Sequence, residues 1–332
     1  MVSSDSEKLK IGIIGTNFIS DRLASAAAES QSTCIHSVYS RTEERGRAFC
    51  TSHGIGTLYT DFELFLNSDI DAVYVASPNM AHCAQTLEAL AHGKHVLCEK
   101  PISSNLSEYR QMRMAAESRG LVLLEAMRPA FDPALSAIKA GLELIGIPRR
   151  AALEFCQYSS RYDKFKAGEV MRTFCPEYSN AAVMDIGVYP LFLCLRLFGY
   201  PTGDIRSSSV FLENGFEGAG EIILPYGGMN AVISYSKISD SVNPSVISGE
   251  NGSLIIDKIS APTKIVFKSR GGEEKPIPFE YRENNMVFEL EEFARLVRSR
   301  EICHIHADFS ELEMKLLDEV RKNVGIVFPA DK

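Results

Sequence analysis

Leu9-Lys10-Ile11-Gly12-Ile13-Ile14-Gly15-Thr16-Asn17-Phe18-Ile19-Ser20 is a short apolar run that ends in glycine and passes straight into an alanine-rich, helix-like stretch over 19–29. The same alternation continues along the chain. Strand-like runs at 35–40, 71–76, 95–98 and 121–124 are separated by helix-like segments at 43–53, 80–91 and 107–118. Near-continuous apolar strands alternating with amphipathic helices predict an α/β fold, a doubly wound parallel sheet covered on both faces. In such sheets ligands sit beyond the carboxyl ends of the strands. The residues just after each strand are therefore the ones to read for function.

After the first strand, the dinucleotide fingerprint G-x-G-x-x-G/A would place glycines at 15, 17 and 20, and Gly15 alone is present. Asn17 tolerates a left-handed backbone, so the turn can form. Its side chain is expected to crowd a pyrophosphate, although its amide can also donate to one. Ser20 is small enough for close helix–strand packing. An acid that would hold a ribose is expected near residue 40. Ser40-Arg41-Thr42 stands there instead. A guanidinium flanked by hydroxyls suits a 2′-phosphate, which favours NADP over NAD. The plainer reading is a solvated arginine with Thr42 capping the next helix. Ser77-Pro78-Asn79-Met80-Ala81-His82 follows the next long strand, where Pro78 ends the strand and Asn79 can cap the helix. Cys98-Glu99-Lys100-Pro101 follows the one after. Lys100 there can offer charge or a hydrogen bond to a substrate oxygen; otherwise it is a surface lysine. The expected cofactor contacts are Gly15, Thr16, Asn17, Phe18, Ile19, Ser40, Arg41, Ser77, Pro78, Asn79, His82, Glu99 and Lys100.

The chain has 332 residues, which predicts about two domains. With 45% apolar and 23% charged residues it is neither disordered nor a disulfide scaffold. The net charge of −8 divides evenly about residue 127, so neither half has the basic character of a nucleic-acid or anionic-membrane binder. The eight cysteines include no Cys-x-x-Cys pair, and no metal site is expected. They read as buried reduced thiols. The first ten residues are polar, the following apolar run is broken by Gly12, Gly15 and Asn17, and no apolar run approaches 18 residues. Together these features predict a soluble cytoplasmic protein.

The chain resembles the glucose–fructose oxidoreductase / inositol dehydrogenase / MocA family. The pieces that carry the likeness are Ile11-Gly12-Ile13-Ile14-Gly15-Thr16 with Ile19, the run from Ala76 to His82, and Gly93-Lys94-His95-Val96-Leu97-Cys98-Glu99-Lys100-Pro101. Met184-Asp185-Ile186-Gly187-Val188-Tyr189, Ser248-Gly249-Glu250-Asn251-Gly252-Ser253 and the amphipathic segment 288–298 follow in order. The resemblance implies a Rossmann NAD(P)-binding domain over 1–127. It also implies an α/β domain over 128–332 with a large open, mostly antiparallel sheet, the final helices packing back toward the first domain. It implies oxidation or reduction of a carbinol or carbonyl on a sugar, polyol or cyclic diol, and a homodimer or homotetramer built through the second sheet. In the family the lysine of Glu-Lys-Pro touches the reacting oxygen, and a D-x-G-x-H motif lies beside the nicotinamide. Here that motif reads Asp185-Ile186-Gly187-Val188-Tyr189, with tyrosine in place of histidine. The branch resembling dihydrodiol and NADP-dependent xylose dehydrogenases shares the tyrosine. The family's glycine-rich stretch before the aspartate is replaced by Ser179-Asn180-Ala181-Ala182.

The chemistry can be read without the family. Residues 96–303 contain no histidine, so an acid/base in the second half must be another group. A tyrosine phenol ordinarily titrates at about pH 10, and an ammonium near Tyr189 would favour its phenolate. Hydride transfer needs one group to exchange the alcohol proton and another to hold the oxygen. Tyr189 and Lys100 meet both needs. Asp185, four residues before Tyr189, shares a helix face with it. The plainer reading of Tyr189 is a buried aromatic with a satisfied hydroxyl.

In the second half, Asp132-Pro133 starts a helix to about residue 145, with aspartate as cap and proline in the first turn. Arg128 reaches either the substrate or an interdomain salt bridge. Strands are expected at 151–158, 206–212, 220–224, 231–236, 254–257 and 264–268, with a turn at Pro225-Tyr226-Gly227-Gly228. The polar, aromatic-bearing stretch 162–178 reads as a substrate-facing loop, with Tyr158 and Tyr162 at its start. Helices are expected over 288–298 and 312–320, and His304-Ile305-His306 alternates like a strand. The competing function is a nucleotide-sensing regulatory protein on the same fold, which would not need both Lys100 and Tyr189.

Overall fold

Ile11, Gly12, Ile13 and Ile14 lie in the middle of a six-stranded parallel sheet, paired to a strand on each side. A computed structural model describes residues 8–332. The polar start of the chain read above lies, up to residue 7, outside the described residues. The strands are β1 (Leu9–Ile14), β2 (Thr33–Tyr39), β3 (Thr57–Tyr59), β4 (Ala72–Val75), β5 (His95–Glu99) and β6 (Leu123–Ala126). Their spatial order is β3-β2-β1-β4-β5-β6, so the connection reverses direction between β1 and β4. That reversal is the switch point at which open α/β sheets bind ligands. The linking helices are α1 (Phe18–Glu29), α2 (Glu43–His53), α3 (Phe62–Leu66), α4 (His82–Ala91) and α5 (Leu106–Arg119). The sequence reading missed β3 and α3. β3 has three residues, none fully buried, so it carries little apolar pattern.

The second sheet has eight strands in the order β14-β13-β12-β11-β7-β10-β9-β8. They are β7 (Pro148–Cys156), β8 (Arg206–Phe211), β9 (Glu217–Tyr226), β10 (Met229–Ser236), β11 (Ser245–Gly249), β12 (Gly252–Ile256), β13 (Ile265–Ser269) and β14 (Glu274–Pro276). All pairs are antiparallel except β7 with β10. Buried and exposed positions alternate along β9, the mark of a sheet with one covered face. The β9–β10 hairpin turns on Gly227-Gly228, where the two-glycine signal stands. The reading missed β11 and β14; β14 is three exposed residues. The helices here are α6 (Pro133–Ile145), α7 (Tyr162–Lys166) and α8 (Val188–Phe198). Asp132 caps α6 by accepting from the Ala134 amide, with Pro133 in the first turn. Residues 176–198 are, by length and composition, apolar enough to cross a membrane, which the reading of apolar runs did not register. Most of the stretch is buried in the protein, as a core helix would be.

Two further helices end the chain, α9 (Met286–Ser299) and α10 (Ile305–Val324). One compact unit comprises the residues through Ser103, Ser107–Phe131 and Arg282–Asp308; the other comprises Ser104–Leu106, Asp132–Tyr281 and Phe309–Lys332. Leu290, Phe293 and Leu296 of α9 are fully buried in one cluster with Ile11, Ile13 and Leu23, so α9 completes the core of the first sheet. The strand expected at 304–306 is not formed. Ile305 opens α10, and the two histidines instead pack as side chains: His304 Nε2 meets the Leu123 carbonyl at 3.1 Å and His306 Nε2 meets Glu292 at 3.0 Å. The eight cysteines form no disulfide; Cys50, Cys83, Cys98 and Cys194 are buried, whereas Cys303 is exposed.

Candidate active site

In the first unit, the loops after β1, β4 and β5 are laced together at the carboxyl edge of the sheet. Gly15 has φ +105°, and a Cβ there would lie 2.8 Å from the Ala76 carbonyl oxygen. Only glycine permits that approach. Asn17 is extended rather than left-handed, and its side chain is turned inward. Its Oδ1 accepts from the Ile19 amide (3.0 Å) and the Ser20 amide (3.2 Å), and its Nδ2 donates to the Ala76 carbonyl (2.8 Å). The side chain therefore caps α1 instead of crowding the phosphate approach, and it leaves the Phe18 amide outside the cap. Ser20 is fully buried, as close packing of α1 requires. Beside this turn the Ser77 hydroxyl is buried with no hydrogen-bond partner among the described residues. An orphaned donor next to a glycine-only turn and an uncapped helix amide fits a bound dinucleotide phosphate.

Ser40 is buried, and its Oγ donates to the Thr42 carbonyl at 2.8 Å, so this hydroxyl already serves the loop. Arg41 is exposed at the end of β2. Thr42 precedes α2 but makes no side-chain cap bond. His82 is buried, with Nδ1 3.0 Å from the Pro101 carbonyl and Nε2 2.9 Å from the Ser77 carbonyl. Burial holds its imidazole below the ordinary value. A neutral ring carries one N–H, so one of these contacts is a full hydrogen bond. His82 thus joins the loops after β4 and β5 through main-chain atoms rather than presenting a nitrogen outward.

Lys100 is half-buried just past β5, followed by a cis peptide to Pro101. Glu99 beneath it is buried, accepting from the Tyr74 hydroxyl at 2.5 Å and from the Lys100 amide at 3.2 Å. Burial pushes the Glu99 carboxyl above the usual carboxylate range. Glu289 of α9 is fully buried, and burial, with the Glu99 charge adding to it, pushes its carboxyl well up. Arg128 donates to the Asn285 side chain at 3.3 Å, within the same unit.

In the second unit, Asp185 lies in a π-helical turn (Val183–Gly187) that runs directly into α8, where Tyr189 is buried with its ring 5.5 Å from Phe155. Single π-turns recur at functional sites because they shift the helix register by one residue. Ser179, at the start of the stretch where the family has glycines, holds a left-handed backbone (φ 57°) that serine adopts at some cost. The expected loop at 162–178 contains α7 and two short turns. Tyr158 donates to Asp163 (2.6 Å), and the Lys166 ammonium lies over the Tyr158 and Tyr162 rings at 5.4 and 5.2 Å.

Two residues here escaped sequence reasoning. Glu217 is buried and accepts from the Val183 amide (2.9 Å), the Tyr235 hydroxyl (2.6 Å) and Ser209 (3.1 Å). Burial pushes its carboxyl up to about 7. Lys237 is buried and pairs with Asp185 at 2.5 Å. The only signal for either was a charged residue flanking a strand-like run, Glu217 before 220–224 and Lys237 after 231–236.

Residues 9–127 match the GFO_IDH_MocA model, described as an oxidoreductase family with an NAD-binding Rossmann fold. The chain is 41% identical to scyllo-inositol 2-dehydrogenase (NADP(+)) IolU of Bacillus subtilis over 98% of this chain and 99% of that one. It is 29% identical to trans-1,2-dihydrobenzene-1,2-diol dehydrogenase of Oryctolagus cuniculus over 97% and 98%. The fold superposes with TM-score 0.84 and 23% identity on KijD10, a 3-ketoreductase from Actinomadura kijaniata in complex with NADP and TDP-benzene, covering 97% of this chain and 99% of that one.

Proposed function

The chain belongs to the GFO_IDH_MocA oxidoreductase family, and from that premise we propose that it is an NADP-dependent dehydrogenase or reductase acting on a carbinol or carbonyl of a small sugar, polyol or cyclic diol. The observation that carries the reading is the laced carboxyl edge of the first sheet. There Gly15, Asn17 and the orphaned Ser77 hydroxyl surround the switch point, and Lys100 stands at the end of β5. The Bacillus relative, named for an inositol and for NADP, supports both the substrate class and the cofactor. The end of β2 also favours NADP: the position of a ribose-binding acid holds Ser40 and an exposed Arg41.

When bound, the nicotinamide supplies or accepts the hydride. On this reading Gly15, Thr16, Phe18, Ile19 and Ser77 line the phosphates, with Asn17 capping the helix behind them, and Arg41 meets the 2′-phosphate. The Lys100 ammonium donates to the reacting oxygen and steadies the negative charge that grows on it. Tyr189 exchanges the proton of that oxygen, and Asp185 sets the charge beside it. Arg128, Tyr158 and Tyr162 contact the rest of the substrate. We place the enzyme in the cytoplasm and expect a dimer or tetramer formed through the second sheet. The mass in solution, from light scattering, tests the assembly.

The deciding experiment mixes the purified chain with NADPH and a panel of ketoses and diketones, and with NADP and a panel of inositols, sugars and diols. Turnover followed by nicotinamide absorbance is the expected result. Tight NADP(H) binding with no turnover on either panel would instead favour the nucleotide-sensing reading.

A further inference from the structure

Lys237 follows β10, and its side chain is buried. Its Nζ donates to Asp185 Oδ2 at 2.5 Å and to the Thr173 carbonyl at 3.5 Å. It also lies 5.2 Å from the Phe174 ring centroid and 5.6 Å from that of Phe216. The aromatic faces attract a cation, but they do not replace water for it. A desolvated ammonium is costly without a paired anion. Asp185 therefore cannot swing away without stranding the charge. The lysine is itself fixed by its main chain, its amide donating to the Gly218 carbonyl and its carbonyl accepting from the Ser159 amide, each at 2.9 Å. Asp185, by contrast, keeps about two-fifths of its side chain exposed. Its Oδ2 is held by the buried lysine while the side chain as a whole remains partly open to solvent.

We propose that Lys237 is a positioning residue: its buried ammonium clamps the Asp185 carboxylate to the Thr173-Phe174 turn, so that the π-turn before α8 and the 162–178 segment are set as one piece. This rests on the functional reading above, in which Asp185 serves the reacting centre. The clamp acts on geometry in the second unit, so its loss should lower kcat more than it weakens cofactor binding.

The test compares the full chain with Lys237→Met, Lys237→Gln, Lys237→Arg, Asp185→Asn and the Lys237→Met/Asp185→Asn double variant. Lys237→Met should lower kcat on the order of 10- to 100-fold. The NADPH dissociation constant should change by less than about twofold on the same argument. Lys237→Arg, which keeps a pairing cation, should recover most of kcat. The double variant should be no slower than the slower single. A folded Lys237→Met or Lys237→Gln with wild-type kcat overturns the inference, as does a double variant in which the two losses multiply. If Lys237→Met does not fold, Lys237→Gln and Lys237→Arg decide the same question. A wild-type chain that binds NADPH but turns over nothing overturns the functional reading instead. The clamp is then read from the melting temperatures of the same cycle, where additive effects of the two substitutions would overturn it too.

Discussion

The side-chain amide of Asn17 donates to the Ala76 carbonyl at 2.8 Å, tying the turn after β1 to the end of β4 across the switch point of the first sheet. The same side chain caps α1 through the Ile19 and Ser20 amides. Asn17→Ala removes both roles and should cost about 1–2 kcal/mol of stability. Asn17→Gly restores the fingerprint glycine and should cost only a few tenths as a cap, plus the lost tie to Ala76. Urea unfolding of the two variants checks the order; an alanine variant as stable as wild type contradicts the cap.

Arg41 is exposed at the end of β2 in a net-acidic chain, and on the proposed reading it holds the 2′-phosphate locally rather than through the overall field. Charge-assisted hydrogen bonds to phosphate contribute about 1.5–3 kcal/mol. Arg41→Ala should raise the KM for NADPH roughly 10- to 100-fold by that measure and leave the KM for NADH nearly unchanged. Equal losses for the two cofactors would remove Arg41 from the 2′-phosphate site.

Much of the first unit was legible because its signals are local. The apolar runs and Gly15 lie within a few residues of the strands and the tight turn they mark, and Ser40-Arg41 and Glu99-Lys100-Pro101 stand at the strand ends that those runs locate. What failed depended on direction or distance. The sequence admitted an asparagine at 17 that either crowds or donates, and the side chain settled that by turning back to cap its own helix. His304-Ile305-His306 has strand-like alternation, but three residues do not separate a period of two from the first turn of a helix. Glu217 and Lys237 reach the π-turn from strands more than thirty residues away in sequence, a proximity that no spacing encodes.

Glu217 makes stability depend on pH. Burial pushes its carboxyl from about 4.5 up to about 7, against the hydrogen bonds from Tyr235 and Val183, which pull it down. Between those values the folded chain keeps a proton that the unfolded chain has released. The group's contribution is therefore full below about pH 4.5, declines as pH rises toward about 7, and is flat above it. The decline is on the order of 3 kcal/mol. Glu217→Gln is neutral throughout, so the melting temperature of the wild type should fall relative to the variant across that window. A difference between the two that stays constant with pH would mean Glu217 titrates normally.

Lys100→Met and Tyr189→Phe separate an enzyme from a nucleotide sensor on the same fold. The Tyr189 ring is buried against Phe155, so phenylalanine keeps the packing and removes only the hydroxyl. Lys100 is half-buried, so methionine keeps most of the stem contacts and removes the charge. If Tyr189 exchanges the proton, its loss should lower kcat on the order of 10²- to 10⁴-fold. If Lys100 holds the reacting oxygen, its loss should cost roughly 10²- to 10³-fold. NADPH binding, read by fluorescence, should survive in Tyr189→Phe. A Tyr189→Phe variant with wild-type kcat would hand the proton to another group. Since residues 96–303 contain no histidine, the next groups to replace would be Asp185 and Lys100 itself.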